Sequence, residues 1–192
     1  IIIDSNLSRF RINRQLQSNF LLVYDERKRD GGKSMNLKIK NMNEKYAIEV
    51  LCWKYEKPYD FYNTVLTSSA ILELVTYDYY VVFHSDEIIG YFCLGIPAQV
   101  PEGESLGVYK EDCIDVGIGM KPEWTGKGYG SKFFSLILSF VKEKHEEKPI
   151  RLTVATFNKR AIHLYEKFGF TEKERFIRKD VEYMTMIKKA EQ

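Results

Sequence analysis

The sequence predicts a mixed α/β (α+β) fold, in which a central sheet carries helices on both of its faces. Short runs of β-branched and aromatic residues alternate with segments whose apolar residues recur at helical spacing. A tight turn joins two early strands, which predicts that the sheet begins with antiparallel pairing. The chain has 192 residues, of which 44% are hydrophobic. That size and composition suffice for one well-packed domain.

In the first half of this domain, the pattern predicts two helices and three strands. The strands are rich in aromatic and β-branched residues, and the helices show apolar residues at intervals of three and four. Ser85, Asp86 and Glu87 form the predicted hairpin turn between the last two strands. The expected order is a strand near 36–41, a helix near 43–54, an aromatic connection, a helix near 68–76, and strands near 79–84 and 88–96.

In the second half, strands and helices alternate after a loop over residues 97–110 that is rich in Pro and Gly. An apolar stripe that includes Phe133, Ile137 and Phe140 predicts a long helix with one face packed on the sheet. The expected order is a strand over 115–120, a helix over 128–145, a strand over 149–155, a helix from 158 to 168, and a hairpin across 172–187.

Three glycines at alternate positions, Gly126, Gly128 and Gly130, open the long helix. Such a turn points backbone N–H groups at whatever lies on the helix start, and glycine lets phosphate oxygens approach closely. A Walker-type loop would need Ser or Thr at position 128, and a dinucleotide fingerprint would need Gly where Ser131 stands. The turn is therefore predicted to bind a diphosphate, with simple capping of the helix as the alternative.

A second motif follows the strand over 149–155. Asn158 stands where a helix N-cap is expected, and Gly169 supplies the C-terminal stop. Tyr165 follows Asn158 by seven residues, or about 10 Å along the same helix face. The motif therefore places a polar anchor and a phenol towards one groove.

These residues resemble the GNAT superfamily of acetyl-CoA-dependent N-acetyltransferases. The family pattern is Gln/Arg-x-x-Gly-x-Gly/Ala, followed later by Asn-x-x-Ala-x-x-x-Tyr-x-x-x-Gly-Phe. The second part matches in full from Asn158 to Phe170, whereas in the first part Thr125 replaces Gln or Arg. That replacement weakens one contact to the pyrophosphate and leaves the backbone amides. The resemblance covers roughly residues 36–188.

The resemblance implies a GNAT-like sheet that is mixed and mostly antiparallel, with splayed central strands, and acetyl-CoA as co-substrate without a metal. The strand before the turn splays from its neighbour in the family, and the pantetheine arm pairs with its exposed main chain. Ile118 and Met120 would be the backbone partners here. The residues assigned to the cofactor are Ile118, Met120, Thr125, Gly126, Lys127, Gly128, Tyr129, Gly130, Ser131 and Asn158.

The chemistry of acetyl transfer suggests roles for a few residues. The departing thiolate needs a proton, and Tyr165 is the predicted acid, because a transfer from pKa ~10 to ~8.5 costs only about 2 kcal/mol. The main-chain N–H near Met120 is the predicted oxyanion donor. Asp115 is the predicted base, although Glu111 and Asp112 precede the same strand and water relays can replace a dedicated base.

An aromatic and charged segment over residues 53–62 is predicted to line the side of the site where the acceptor amine binds. Tyr59, Asp60 and Tyr62 could hold a cationic amine through ring faces and ion pairs. The alternative is an ordinary packed connection between two helices.

Composition excludes several other classes. The three histidines and three cysteines are scattered, which predicts no metal site and fits a reducing cytoplasm. Residues 1–34 carry seven basic and four acidic residues, and the remainder is nearly neutral, so no concentrated basic face supports nucleic-acid binding. No apolar run approaches the ~20 residues of a membrane span. We expect a cytoplasmic monomer or homodimer that contacts neither membranes nor nucleic acids.

The basic start of the chain is predicted to be separate from the domain. Gly31 and Gly32 lie in a charged, flexible stretch, and Met35 is a plausible original start. We expect residues 1–34 to form an N-terminal extension, which cloning could have added, and residues 35–192 to form a single N-acetyltransferase domain.

The sequence leaves two main functions open. The first is an acetyl-CoA-dependent N-acetyltransferase that transfers acetyl to a primary amine, of a small molecule or a peptide, by direct attack. The second is a non-catalytic acyl-CoA-binding sensor or interaction module. A kinase-like phosphate binder is a third reading, which would require affinity for ATP.

Overall fold

The structure of the protein, a computed structural model, describes residues 21–22, 35–145 and 148–190. Apart from the backbone of residues 21–22, the predicted extension lies outside the described residues. Within the described part, the chain forms two compact units. One unit contains residues 21–22, 35–92 and 119–124, and the other contains residues 93–118, 125–145 and 148–190. The division into an extension and a single domain stays a prediction.

The unit that contains residues 35–92 is built from antiparallel strands and two helices. β2 pairs antiparallel with β1 and with β3, and the pair Ile39↔Val82 lies in the middle of the second register. Asn43 and Thr67 cap the two helices, because their side chains accept the N–H groups of Tyr46 and Ala70 at 3.0 and 3.1 Å. Its elements are β1 (Leu21–Leu22), β2 (Leu37–Asn41), α1 (Glu44–Leu51), α2 (Ser68–Thr76), β3 (Tyr79–His84) and most of β4 (Glu87–Leu94).

The unit that contains residues 125–190 carries the long helix and the C-terminal hairpin. β8 lies between β6 and β7 and pairs antiparallel with both. Lys179 and Asp180 make the two-residue hairpin turn at positive φ, as expected for a right-twisted hairpin. Its elements are α3 (Pro101–Ser105), most of β5 (Ile114–Met120), α4 (Gly130–His145), β6 (Ile150–Ala155), α5 (Lys159–Lys167), β7 (Thr171–Arg178) and β8 (Val181–Lys188).

The sheet is mixed and mostly antiparallel, which confirms the predicted fold class. β5 and β6 form a parallel pair, over Ile114↔Ile150, Asp115↔Arg151 and Val116↔Leu152. The pairing ends at Val116, whereas β5 continues to Met120 and β6 continues to Ala155. The two strands therefore separate where the resemblance implied a splay.

Two expected elements differ from the structure. The predicted helix near 43–54 ends at Leu51, with Cys52 as its cap. The predicted loop over 97–110 contains the short helix α3, with Pro101 in its first turn, where a missing N–H costs nothing. Gly103 lets this helix pack closely against the ring of Tyr109, because a Cβ at position 103 would lie 2.8 Å from that ring. The Pro and Gly residues that predicted a continuous loop therefore have other roles. Pro101 starts a short helix, and Gly103 allows that helix to pack against Tyr109.

The core beside α4 fixes the position of α5. α4 buries the predicted apolar stripe, and Phe134 is fully buried. The ring of Phe134 lies 5.3, 5.0 and 5.7 Å from those of Tyr165, Phe168 and Phe170. Burial of each large side chain stabilises the fold by about 1.5–3 kcal/mol. Across residues 35–145 and 148–190, no helix combines the length and apolar character that crossing a bilayer requires.

Candidate active site

The glycine turn adopts a backbone that favours glycine at two positions. Gly126 has a φ of 71° and Gly128 a φ of 83°, both in the left-handed region. Residues 126–128 are exposed, and α4 begins at Gly130. A Cβ on Gly128 would meet no described heavy atom within 4 Å, so the backbone there borders open space. This arrangement fits a ligand that approaches the main chain itself.

The start of α4 provides the polar groups of the turn. The first N–H groups of an α-helix have no partner inside the helix, and the helix dipole favours negative charge at that end. α4 has 16 residues, so its dipole is fully developed. Backbone N–H groups and a positive helix end together form a site suited to phosphate groups.

Asn158 caps α5. Its side-chain oxygen accepts the N–H of Ala161 at 3.2 Å, as predicted for an N-cap. This bond fixes the start of α5. The predicted contact of Asn158 with the cofactor stays a prediction.

Two cations on α5 lie beside the turn, and sequence reasoning missed both. A Cβ on Gly126 would lie 3.7 Å from Nη1 of Arg160. Nζ of Lys167 donates to Oγ of Ser131 at 3.3 Å. The sequence shows that Arg160 and Lys167 share one face of a helix, because they are seven residues apart. That this face lies beside the glycine turn depends on tertiary packing, which the sequence does not show.

Tyr165, the predicted acid, lies on the buried face of α5. It is 5% exposed, and its ring packs 5.3 Å from Phe134 and 6.3 Å from Phe170. The neighbouring aromatic rings hold the phenol in one place. Its role as acid stays a prediction.

Asp115, the predicted base, is engaged in a buried ion pair. Its carboxylate accepts from Nε and Nη2 of Arg151 at 2.6 and 2.8 Å, and from Nε2 of Gln99 at 2.6 Å. Asp115 is 3% exposed and Arg151 is 2% exposed. Burial alone would lower the pKa of Arg151, but the hydrogen bond and charge of Asp115 raise it above its usual value. Both carboxylate oxygens are therefore occupied, and this geometry argues against Asp115 as a base.

The two alternative carboxylates are also paired with cations. Glu111 lies 3.4 Å from Nζ of Lys173, and Asp112 lies 2.9 Å from Nζ of Lys148. Both acidic residues are exposed, so these pairs contribute little to stability. Of the three carboxylates considered, Asp115 alone is buried, and it completes the packing between β5 and β6.

In the other unit, the aromatic segment reaches the end of β5. The hydroxyl of Tyr55 donates to the main-chain oxygen of Met120 at 2.9 Å. The side chain of Asn63 bonds both the N–H and the oxygen of Tyr55, at 2.6 and 3.1 Å, and so holds the segment in place. Tyr55 was not among the predicted site residues, since this contact spans 65 residues of sequence.

The predicted acceptor residues lie in a short 3₁₀ turn, Asp60–Tyr62, that follows Tyr59. Asp60 is exposed, and the rings of Tyr59 and Tyr62 are half-buried. The ring of Tyr62 lies 6.5 Å from that of Tyr55. The segment therefore presents a carboxylate and aromatic surface to solvent, and its role in acceptor binding stays a prediction.

The end of β5 approaches a neighbouring ring closely. A Cβ on Gly119 would lie 2.4 Å from Cε1 of Tyr91, so only glycine fits there without movement of the ring. Ile118 and Met120, the predicted backbone partners of the pantetheine, are half-buried on the same strand.

Among the described residues, no group of three or more His, Cys, Asp or Glu side chains could hold a metal ion.

The family follows from the comparison with known sequences. The model of the acetyltransferase (GNAT) family matches residues 43–170, which include the glycine turn and the Asn158-to-Phe170 motif. The chain belongs to this family, as the resemblance predicted. No curated protein sequence matches it at a significant level.

Solved structures share the fold at low sequence identity. An uncharacterized protein from Bacillus halodurans has a TM-score of 0.70 at 16% identity, over 90% of each chain. An aminoglycoside acetyltransferase, AAC(6')-Ib, in complex with coenzyme A and kanamycin, has a TM-score of 0.62 at 17% identity, over 80% of this chain and 94% of that chain. A spermidine N-acetyltransferase SpeG chimera from Vibrio cholerae and hSSAT has a TM-score of 0.55 at 22% identity, over 79% and 93% of the two chains.

Proposed function

We propose that this protein is an acetyl-CoA-dependent N-acetyltransferase that transfers the acetyl group to a primary amine by direct attack. The observation that carries the proposal is the glycine turn, in which Gly126 and Gly128 have positive φ and α4 begins immediately afterwards. Open space over Gly128 leaves room for a diphosphate against the main chain. Family membership agrees with this use of the turn.

Each phase of the transfer has a proposed residue. The amides of residues 126–131 bind the diphosphate and orient the thioester. The main-chain N–H near Met120 stabilises the oxyanion that forms when the amine nitrogen attacks the carbonyl carbon. When the carbon–sulfur bond breaks, Tyr165 gives its proton to the thiolate.

The proton lost by the amine goes to water rather than to a dedicated carboxylate. Asp115 is committed to Arg151 and Gln99, and a change of its role would break a buried ion pair. A water chain from the amine to bulk solvent needs no side chain of matched pKa. The reaction is therefore expected to accelerate with pH until the acceptor amine is neutral.

The acceptor class follows from the exposed aromatic segment. Tyr59, Asp60 and Tyr62 combine ring faces with one carboxylate, which suits a cationic amine. Two structural neighbours are an aminoglycoside acetyltransferase and a spermidine N-acetyltransferase chimera. Polyamines and aminosugars are accordingly the first acceptors to test.

The test combines binding with turnover. Calorimetry should show saturable binding of acetyl-CoA, and thiol release should depend on an added amine from a panel that includes spermidine and kanamycin. Binding of ATP in the presence of magnesium, without binding of acetyl-CoA, would refute the proposal.

A second candidate is an acyl-CoA-binding module without catalysis. The observation that favours it is the carboxylate of Asp115, whose oxygens accept hydrogen bonds from Arg151 and Gln99, because this geometry argues against the predicted base. Acetyl-CoA binding with no thiol release across the whole amine panel would support this candidate. Amine-dependent release would exclude it.

A further inference from the structure

One face of α5 follows the glycine turn from end to end. Arg160, Leu164 and Lys167 are spaced i, i+4 and i+7, so they share that face. A Cβ on Gly126 would lie 3.7 Å from Nη1 of Arg160, and a Cβ on Gly130 would lie 3.5 Å from Cδ2 of Leu164. Lys167 completes the row with its contact of 3.3 Å to Ser131. We call these three residues the α5 stripe.

The α5 stripe differs from the side of the helix that builds the core. Ile162 and Tyr165 are buried, whereas Arg160 and Lys167 are exposed. Leu164, in the middle of the stripe, packs an apolar side chain against the start of α4. The stripe therefore fixes the distance between α5 and the turn. It also holds one cation at each end of the backbone amides of residues 126–131, which we call the amide row.

The turn lacks the long Gln or Arg donor of the family pattern at its first position. Thr125 stands where the family pattern has Gln or Arg, and the amides carry partial charges only. A diphosphate brings full negative charge on several oxygens. A guanidinium is planar, always charged and able to donate two parallel hydrogen bonds to phosphate oxygens. The nearest such group to Gly126 belongs to α5.

We propose that Arg160 is a diphosphate-binding residue, which supplies from α5 the long, charged donor that the family pattern places at position 125. The proposal rests on the proposed use of acetyl-CoA. Nη1 of Arg160 would lie 3.7 Å from a Cβ on Gly126, so its guanidinium could reach phosphate oxygens that bind at this end of the turn. Lys167 acts at the other end of the row as a weaker point charge.

The test measures binding of coenzyme A and of 3′-dephospho-coenzyme A by calorimetry. Arg160→Gln should lower the affinity for both ligands by about tenfold, the equivalent of ~1.4 kcal/mol of binding free energy. Lys159→Gln is the matched control, since it removes the same charge from the same turn of α5 at a position outside the stripe. The control should change both affinities by less than about twofold, as expected for screened surface charges.

A rescue variant separates a ligand contact from a structural role. Thr125→Arg, added to Arg160→Gln, restores a guanidinium at the position that the family uses and should recover most of the lost affinity. The melting temperatures of all variants should stay close to that of the unchanged protein, because Lys159 and Arg160 are exposed on α5 and Thr125 is half-buried in the turn. A failed rescue together with a lower melting temperature would overturn the proposal.

Two further outcomes would also overturn the proposal. Equal affinities of the Arg160→Gln and Lys159→Gln variants would show that Arg160 makes no special contact. A loss confined to coenzyme A, with 3′-dephospho-coenzyme A unaffected, would move the contact to the 3′-phosphate. If the unchanged protein fails to bind coenzyme A at all, the proposed function fails first, and that result is distinct from either of these.

Discussion

Substitution of Gly128 tests whether the backbone amides of the glycine turn bind the diphosphate, separately from the strain that a side chain at positive φ would cause. Gly128 has a φ of 83°, and a Cβ there would meet no described heavy atom within 4 Å. Gly169 has a φ of 84° and equally open surroundings, but it lies just beyond α5, outside the turn. Gly128→Val and Gly169→Val therefore impose the same strain, and only the first adds a side chain where the diphosphate would lie.

The two variants should lose similar stability and very different affinity. A side chain at positive φ costs about 1–2 kcal/mol, which lowers the melting temperature of a chain of this size by roughly 2–8 °C. Hydrogen bonds to a charged group contribute ~1.5–3 kcal/mol each, so the loss of two amide contacts weakens binding by about 3–6 kcal/mol. That loss corresponds to a Kd raised more than ~100-fold.

The assay is calorimetric titration with coenzyme A, accompanied by thermal melting of the same samples. The account predicts that Gly169→Val binds with the affinity of the unchanged protein while Gly128→Val shows no measurable heat. Equal binding by the two variants would refute the reasoning, because the open space over Gly128 would then have no part in holding the ligand.

Three further substitutions test individual residues. Tyr165→Phe should depress turnover more than acetyl-CoA affinity, and an unchanged rate would end the assignment of Tyr165 as acid. Asp115→Asn should destabilise the protein by about 3–5 kcal/mol in urea unfolding, because Arg151 would stay buried without its partner; a stable but inactive variant would instead revive the base role. Gly119→Ala should cost roughly 1–3 kcal/mol in the same assay, since its Cβ would lie 2.4 Å from the ring of Tyr91. A variant as stable as the unchanged protein would mean that the ring moves freely.

The parts of the fold that the sequence predicts are those decided by local physics. The glycine turn, the stripe of α4 and the Asn158 cap each depend on residues within a few positions of one another. The C-terminal hairpin is likewise local, since its strands join through Lys179 and Asp180. Local spacing was therefore enough to locate the candidate cofactor site.

The parts that sequence reasoning missed depend on contacts between distant residues. Asp115 looks like an available carboxylate until the parallel register of β5 and β6 places it opposite Arg151, 36 residues away. The role of Tyr55 also depends on a distant residue, because its hydroxyl donates to the main-chain oxygen of Met120. Arg160 was visible as a helix residue, but its place beside Gly126 follows from the packing of α5. Strand register and helix packing, rather than residue type, decide these roles.

The most direct test of the central claim follows the amides of the turn themselves. In protein labelled with ¹⁵N-glycine, the 12 glycines give a small set of backbone signals that can be assigned individually. On titration with coenzyme A, the account predicts that the signals of Gly126, Gly128 and Gly130 shift most, while that of Gly169 stays in place. Saturable binding that leaves those three signals unmoved would contradict the claim that this turn holds the diphosphate.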